Sequence, residues 1–279
     1  MSFSAIFFAL SETSPLTGSF FRAAYAIPVL AVIWSIHRRR DTRPLASRFL
    51  ALAAGFALGI DIILWHTAID HIGAGLATLI ANAQVIFVGV GAWAIHGERP
   101  PVRMLATVPV VLVGVALVTG LGRSDSFGSN PLLGAGLALM ASVFYAAFLL
   151  GFRASNKEQA PPSGPLLEAT VGALAATTIG GAITGGLELA PSWPAHGWLL
   201  ALALGAQVAG WLSIGYALPR LPAVETSTII LLQPVLTMTW GALIFVERPS
   251  PTQMIGAVIV LLGVGYVALT RARSAATAG

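Results

Sequence analysis

The stretch AGLATLIANAQVIFVGVGAWAIHGERP, residues 74–100, has a counterpart in AVETSTIILLQPVLTMTWGALIFVERP, residues 223–249. The landmarks of the two copies lie 149 positions apart without a gap: Gln84 and Gln233, Glu98 and Glu247, and, just beyond the quoted stretches, Gly114 and Gly263. Self-similarity at a fixed spacing of about half the chain indicates a duplicated unit. In a membrane protein, duplicated halves are the usual architecture of a secondary transporter.

The composition is that of an integral membrane protein. Of the 279 residues, 56% are hydrophobic and 9% are charged, whereas a soluble domain has about 25% charged residues. The net charge of +4 lies mostly in short loops between apolar runs, so it indicates membrane orientation rather than a nucleic-acid partner. There is no cysteine, no phosphate-binding Walker loop and no HExxH motif, so we predict no metal, no cofactor and no enzymatic activity.

Ten apolar runs are candidates for membrane helices, which need about 20 residues each. The first run, Met1–Leu10, is too short to span a bilayer, and we expect that the printed sequence begins inside the first helix. The other nine runs are Leu16–Ile36, Ala46–Ile69, Ala74–Ile95, Val102–Gly120, Leu132–Phe152, Leu166–Leu189, Trp198–Leu218, Ala223–Val246 and Thr252–Leu269. The predicted fold is therefore all-α, with ten transmembrane helices.

Basic residues set the predicted orientation. The loops after runs 2, 4, 6, 8 and 10 hold, with their flanks, 12 of the 15 basic residues, which places both termini in the cytoplasm. Five helices per half is an odd number, so the second half enters the membrane inverted relative to the first. We predict a first five-helix repeat over residues 1–122 and a second, inverted repeat over residues 131–279.

Three short motifs carry a resemblance to a known family. They are HGERP (His96–Pro100), VERPS (Val246–Ser250), each followed by an apolar run with a glycine, and SPLTGSFFR (Ser14–Arg22). This arrangement resembles the drug/metabolite transporter superfamily, specifically its EamA-type exporters, and is most similar to the YddG-type amino-acid exporters. The resemblance covers Ser11–Leu269 and implies ten helices in two inverted halves and the export of metabolites. The short first run departs from the family pattern.

Two glutamines are candidates for a site at the bilayer midplane. Gln84 and Gln233 each lie ten residues into their runs, hence about 15 Å deep in a hydrocarbon core of about 30 Å. They enter from opposite faces, so both amides could line one cavity, with Asn82 close to Gln84 on the same helix. The alternative is that these side chains form hydrogen bonds between helices, which is a common use of polar residues in membranes.

A second candidate group lies on run 3, with further members on runs 6 and 8. Asp61 could bind a substrate ammonium group or a proton, or form a buried pair with a neighbouring donor. His66 could bind a substrate carboxylate or carry a coupling proton, or lie at the outer interface, and Trp65 could be an interfacial aromatic. Tyr145 and Trp211 complete a polar and aromatic lining that suits a small amphipathic solute.

The remaining charged residues are expected to lie near the ends of the runs. We predict that Arg22 lies near the outer end of run 2, paired with Glu12 or lining an outer gate. Glu168 and Glu225 are predicted to be solvated acids at helix starts. On this view no Lys or Arg lies deep in a span, which argues against a nucleotide-sugar carrier.

These patterns predict a secondary transporter in the bacterial inner (plasma) membrane. It would export small metabolites, namely amino acids including aromatic or other apolar ones, by alternating access around a midplane cavity. The alternatives are a drug or cationic-amphiphile exporter of the same fold, a membrane-embedded enzyme, and a non-transport scaffold. The predicted partners are a small-molecule substrate and the lipid bilayer, with no nucleic acid, and the protein is expected to be a monomer or a weak homodimer.

Overall fold

The computed structural model describes residues 1–96, 102–118, 127–156, 160–190, 192–217 and 223–277. Within these ranges the regular elements are all helical. In chain order they are α1 (Ser4–Ser11), α2 (Pro15–His37), a 3₁₀ turn (Arg38–Arg40), α3 (Leu45–Ala81), α4 (Gln84–His96), α5 (Val102–Val118), α6 (Pro131–Ser155), α7 (Ser163–Thr184), α8 (Ala195–Leu202), a π-helical segment (Ala203–Gly210), α9 (Trp211–Ala217), α10 (Ala223–Ile244) and α11 (Pro251–Thr277). The first Glu-Arg-Pro motif, residues 98–100, and the side chain of Glu225 lie outside the described residues.

Several helices start where the sequence supplies a cap. Ser14 accepts a hydrogen bond from the Thr17 backbone N–H at 3.2 Å, and Pro15 occupies the first turn of α2. Asn130 caps α6 in the same way, ahead of Pro131. A side-chain acceptor satisfies a free N–H, and proline needs none, so both residue types favour helix starts. These ends lie close to the ends of the predicted apolar runs.

The predicted boundary between runs 3 and 4 corresponds to an interruption inside α3. Gly73 has φ +79° and ψ 165°, a conformation that residues with a Cβ atom rarely adopt. The chain then continues as a short helical segment, residues 74–81, which we call the hinge segment. A turn at Asn82–Ala83 separates it from α4. The sequence predicted one continuous run from Ala74 to Ile95, so this second break is a correction to the prediction.

Helix α3 lies at the centre of the fold and packs against α6 and α7. Its backbone meets that of α7 directly. A Cβ atom on Gly55 would lie 1.9 Å from the Ala169 carbonyl oxygen, and one on Gly172 would lie 2.0 Å from the Leu52 carbonyl oxygen. Glycine therefore permits a close helix approach, as in other membrane helix pairs.

The last helices of the two predicted repeats, α5 and α11, pack against each other. Gly114 of α5 lies against Val260 and Gly256 of α11, while Gly263 of α11 lies against Val111 of α5. Gln253 ties this helix pair to residue 127: its side chain accepts from the Phe127 N–H at 2.8 Å and donates to the Val118 carbonyl at 3.1 Å.

In the part of the chain that the structure describes, five helical stretches are long and apolar enough to cross a membrane: Pro15–Arg40, Leu45–Ala81, Pro131–Ser155, Ser163–Thr184 and Ala195–Tyr216. Shorter apolar helices occur at Ala106–Val118 and Pro251–Tyr266. The chain is therefore a multi-pass helical membrane protein.

An ion cluster fixes the link between α2 and α3 onto α7. Arg43 forms two hydrogen bonds with Asp41, at 2.8 and 2.9 Å, and lies 2.9 Å from a Glu168 oxygen. Burial raises the pKa of the Asp41 carboxyl, but the hydrogen bonds and charge of Arg43 outweigh this effect, so its pKa lies below the usual range. Glu168 was predicted to be a solvated acid; instead it is paired with Arg43 and lies 3.9 Å from Arg48.

Candidate substrate site

Three ionisable side chains from three helices meet inside the fold. Asp61 of α3 is 8% exposed and Arg22 of α2 is 6% exposed. Each lies within the range of a Coulombic interaction with the other and with Tyr145 of α6. Among the described residues, Asp61 accepts no hydrogen bond, and it has no cationic atom within 4 Å. An ionisable group inside a membrane protein without a tight partner is a candidate for function.

Arg22 lies elsewhere than the sequence predicted. Arg22 lies about 10 Å from the start of α2 along the helix axis. Its hydrogen-bond partners are Gln207 and Ser4 rather than Glu12. The expectation that no Arg lies deep in a span was therefore wrong. The signal was present in the sequence, because an arginine at the seventh position of an apolar run is a functional candidate by default.

Gln207, which the sequence analysis did not place in the site, connects Arg22 to α7. Its Oε1 accepts from Arg22 Nε at 3.0 Å, and its Nε2 donates to the Thr170 hydroxyl at 3.1 Å. The Thr170 hydroxyl in turn donates to the Leu166 carbonyl. Gln207 lies in the π-helical segment, a distortion that is frequent at functional sites.

Aromatic side chains border this group on one side. Trp211, one residue after the π-helical segment, is 6% exposed. Its ring meets Tyr145 edge-on at 6.1 Å and Phe148 edge-on at 5.2 Å between centroids. The indole Nε1 has no hydrogen-bond partner among the described residues. The structure thus brings together Asp61, Tyr145 and Trp211, three of the predicted site residues, with Arg22 and Gln207.

His66 and Trp65 lie about one helical turn beyond Asp61. His66 is fully buried, and its ring stacks on Phe8 at 3.8 Å with an interplanar angle of 1°. Its Nδ1 lies 3.0 Å from the Ser19 hydroxyl, which itself donates to the Pro15 carbonyl, so the histidine nitrogen is the donor. The Nε2 atom has no partner in the described part of the chain. Helix α1 therefore covers His66.

Asn82 and Gln84 lie at the turn that ends the hinge segment, and both are buried. Asn82 Nδ2 donates to the Thr78 carbonyl at 2.7 Å. The Thr78 hydroxyl and the Gln84 Oε1 have no partner among the described residues. Unpartnered buried polar atoms are uncommon in native proteins, so this turn offers acceptors to a solute or to water.

Gln233 lies directly before Pro234 in α10 and is half-buried. Its backbone carbonyl accepts from the Thr237 hydroxyl at 2.9 Å. Within the described residues, no hydrogen bond joins Gln233 to Gln84, so the shared use of one cavity by the two amides stays a prediction.

A cavity of about 600 Å³ lies at the C-terminal ends of α2 and α9. Its lining includes His37, Ser163 and Ser213, and also Leu212, the residue that follows Trp211. The Ser163 hydroxyl is buried without a partner in the described ranges. The lining of this cavity includes none of Asp61, Arg22, Tyr145 and Trp211.

The fold is that of a multi-pass helical membrane protein. The sequence matches the EamA-like transporter family over residues 1–120 and 132–269, and the chain belongs to that family. Members are membrane transporters of small molecules rather than enzymes. The chain is 29% identical over 252 residues to the uncharacterized protein PA1977 of Pseudomonas aeruginosa, covering 90% of this chain and 83% of that protein.

A solved crystal structure shares the fold. It has a TM-score of 0.63 and 14% sequence identity, with 97% of this chain and 95% of that chain covered.

Proposed function

We propose that this chain is a secondary transporter that exports small metabolites, namely amino acids including aromatic or other apolar ones. The observation that carries the proposal is Asp61: a buried acid that accepts no hydrogen bond from a described residue and lies within Coulombic range of Tyr145. A carboxylate in this setting binds an ammonium group by a charge-assisted hydrogen bond. The neighbouring rings of Tyr145 and Trp211 supply apolar and aromatic surface for a substrate side chain.

Alternating access around this site is the proposed mechanism. Binding at a central site, with the two halves moving around it, is the general behaviour of transporters built from inverted repeats. The family match in two blocks, residues 1–120 and 132–269, supports two units in the chain. The reciprocal contacts of Gly114 and Gly263 between α5 and α11 agree with such a duplication. Asp61 and His66 are the candidates for proton coupling.

The proposed architecture has ten spans with both termini in the cytoplasm of a bacterium, in its inner membrane. The distribution of basic residues supports this orientation. The repeats are proposed at residues 1–122 and 131–279, and the subfamily is proposed to be the YddG type. The working unit is proposed to be a monomer or a weak homodimer.

Uptake into proteoliposomes tests the proposed function. The full chain would be reconstituted and offered a panel of labelled amino acids, with and without a proton gradient. We expect saturable uptake of aromatic or aliphatic amino acids. If only cationic amphiphiles are taken up, the protein is a drug exporter, and the amino-acid proposal is wrong. If no solute is taken up by correctly folded protein, the transport proposal itself is wrong.

A further inference from the structure

Arg22 presents a buried cation with free donors. Its Nε donates to Gln207 and its Nη1 donates to the Ser4 hydroxyl at 3.3 Å, and both acceptors are neutral. A guanidinium has five N–H donors, and the remaining nitrogen, Nη2, has no hydrogen-bond partner among the described residues. No carboxylate oxygen of the described chain lies within 4 Å of this group. A buried charge without a contacting counter-ion is costly, so an anion that reaches it gains a strong interaction.

The surroundings hold Arg22 in one orientation. Gln207 is 1% exposed, and its amide is fixed by the donation of Nε2 to Thr170. Its oxygen must therefore point at Arg22 Nε. Gln207 is thus a positioning residue that occupies one edge of the guanidinium and leaves part of the other edge free.

We propose that Arg22 binds the carboxylate of the substrate while Asp61 binds its ammonium group, so that the site selects zwitterionic amino acids. The inference rests on the proposed transport function and deepens it. Arg22 and Asp61 interact through space but are not in ion-pair contact, and this arrangement leaves both charges available to a zwitterion. Tyr145 and Trp211 then face the apolar part of the solute.

This assignment replaces the predicted carboxylate site at His66. That ring is stacked on Phe8 and already donates to Ser19, whereas Arg22 is charged and its Nη2 has no hydrogen-bond partner in the described ranges. The competing explanation is that Arg22 serves only as the counter-ion of Asp61. The two explanations differ in what they predict for solutes that lack a carboxylate.

A ligand series on the wild-type protein separates them without any substitution. Labelled phenylalanine uptake into proteoliposomes would be competed with phenylalanine, phenylalanine amide and phenethylamine. A hydrogen bond to a charged group corresponds to about a tenfold to 150-fold change in affinity. We therefore expect the amide and the amine to compete at least about tenfold more weakly than phenylalanine. Equal competition by all three overturns the inference and leaves amino-acid transport standing, whereas no uptake of phenylalanine or any other amino acid overturns both.

Paired variants give a second test. Arg22→Gln should lose the preference for the carboxylate, whereas Arg153→Gln, the same change at an exposed position of α6, should keep it. If Arg22 is only a counter-ion, Arg22→Gln should weaken competition by phenylalanine, phenylalanine amide and phenethylamine to the same extent, so that the preference for the carboxylate remains. We expect this preference to disappear in Arg22→Gln, and a preference that persists there would contradict the assignment. Elution as a single species in size-exclusion chromatography would establish that each variant is folded.

Discussion

Replacing Gly55 with alanine tests the central helix contact. The new Cβ would lie 1.9 Å from the Ala169 carbonyl oxygen, and contacts under 3.0 Å are essentially never seen, so α3 and α7 must separate by at least about 1.1 Å. The obstacle is backbone, so no rotamer change can relieve it. Overpacking of this kind costs about 1–3 kcal/mol. For a chain of this size, we expect the unfolding temperature to fall by about 2–4 °C per kcal/mol.

The matched control is Gly136→Ala in α6. That position has no atom within 4 Å of the added Cβ, so the substitution brings only the better helix propensity of alanine, up to about 1 kcal/mol. Tryptophan fluorescence during heating in detergent would measure both variants. Equal unfolding temperatures for Gly55→Ala and Gly136→Ala would show that α3 and α7 are not in close backbone contact at Gly55.

Three further changes have outcomes that the structure specifies. Glu247→Ala should lower the unfolding temperature and raise the rate of amide hydrogen exchange at Ala74, because Glu247 caps the hinge segment by accepting from the Ala74 N–H at 2.7 Å. Loss of a cap costs about 1 kcal/mol. An unchanged exchange rate at Ala74 would contradict the cap. Gln253→Leu should cost about 2 kcal/mol, because it leaves a buried carbonyl at residue 118 and a partly buried N–H at residue 127 unpaired. A wild-type unfolding temperature would disprove this. Since the pKa of Asp41 is lowered in the folded protein, the unfolded chain binds more protons as the pH falls. The stability that Asp41 contributes is therefore present above its unfolded pKa and is lost as the pH falls through its folded pKa. Asp41→Asn should be less stable at neutral pH and should lose this part of the acid dependence, and an identical pH profile for variant and wild type would count against the ion cluster.

Most helix positions could be predicted because apolar runs and their end signals are local. Proline at the start of α2 and α6 and charged residues after α2 mark the ends within a few residues. The π-helical segment and the turn at Asn82–Ala83 were missed, since both lie inside unbroken apolar sequence. Such distortions depend on contacts with other helices, which no local pattern encodes.

The candidate site was predicted in part for the same reason. Asp61 and Trp211 are conspicuous in apolar runs, and the structure places both near Tyr145. The position and partners of Arg22 were predicted wrongly, because counting residues along one helix does not show which side chains of other helices it contacts. Its hydrogen bond to Gln207 joins residues 185 positions apart, and only the folded chain reveals that pairing.

The solute is proposed to bind at Asp61, and a comparison of two matched variants tests this binding. Asp61→Asn and Asp70→Asn make the same chemical change on the same helix, at a buried and an exposed position respectively. Initial rates of amino-acid uptake would be measured in proteoliposomes at equal protein content. The account predicts a loss of at least about tenfold for Asp61→Asn, the size of a lost charge-assisted hydrogen bond, and a rate close to wild type for Asp70→Asn. Wild-type uptake by Asp61→Asn would contradict the account.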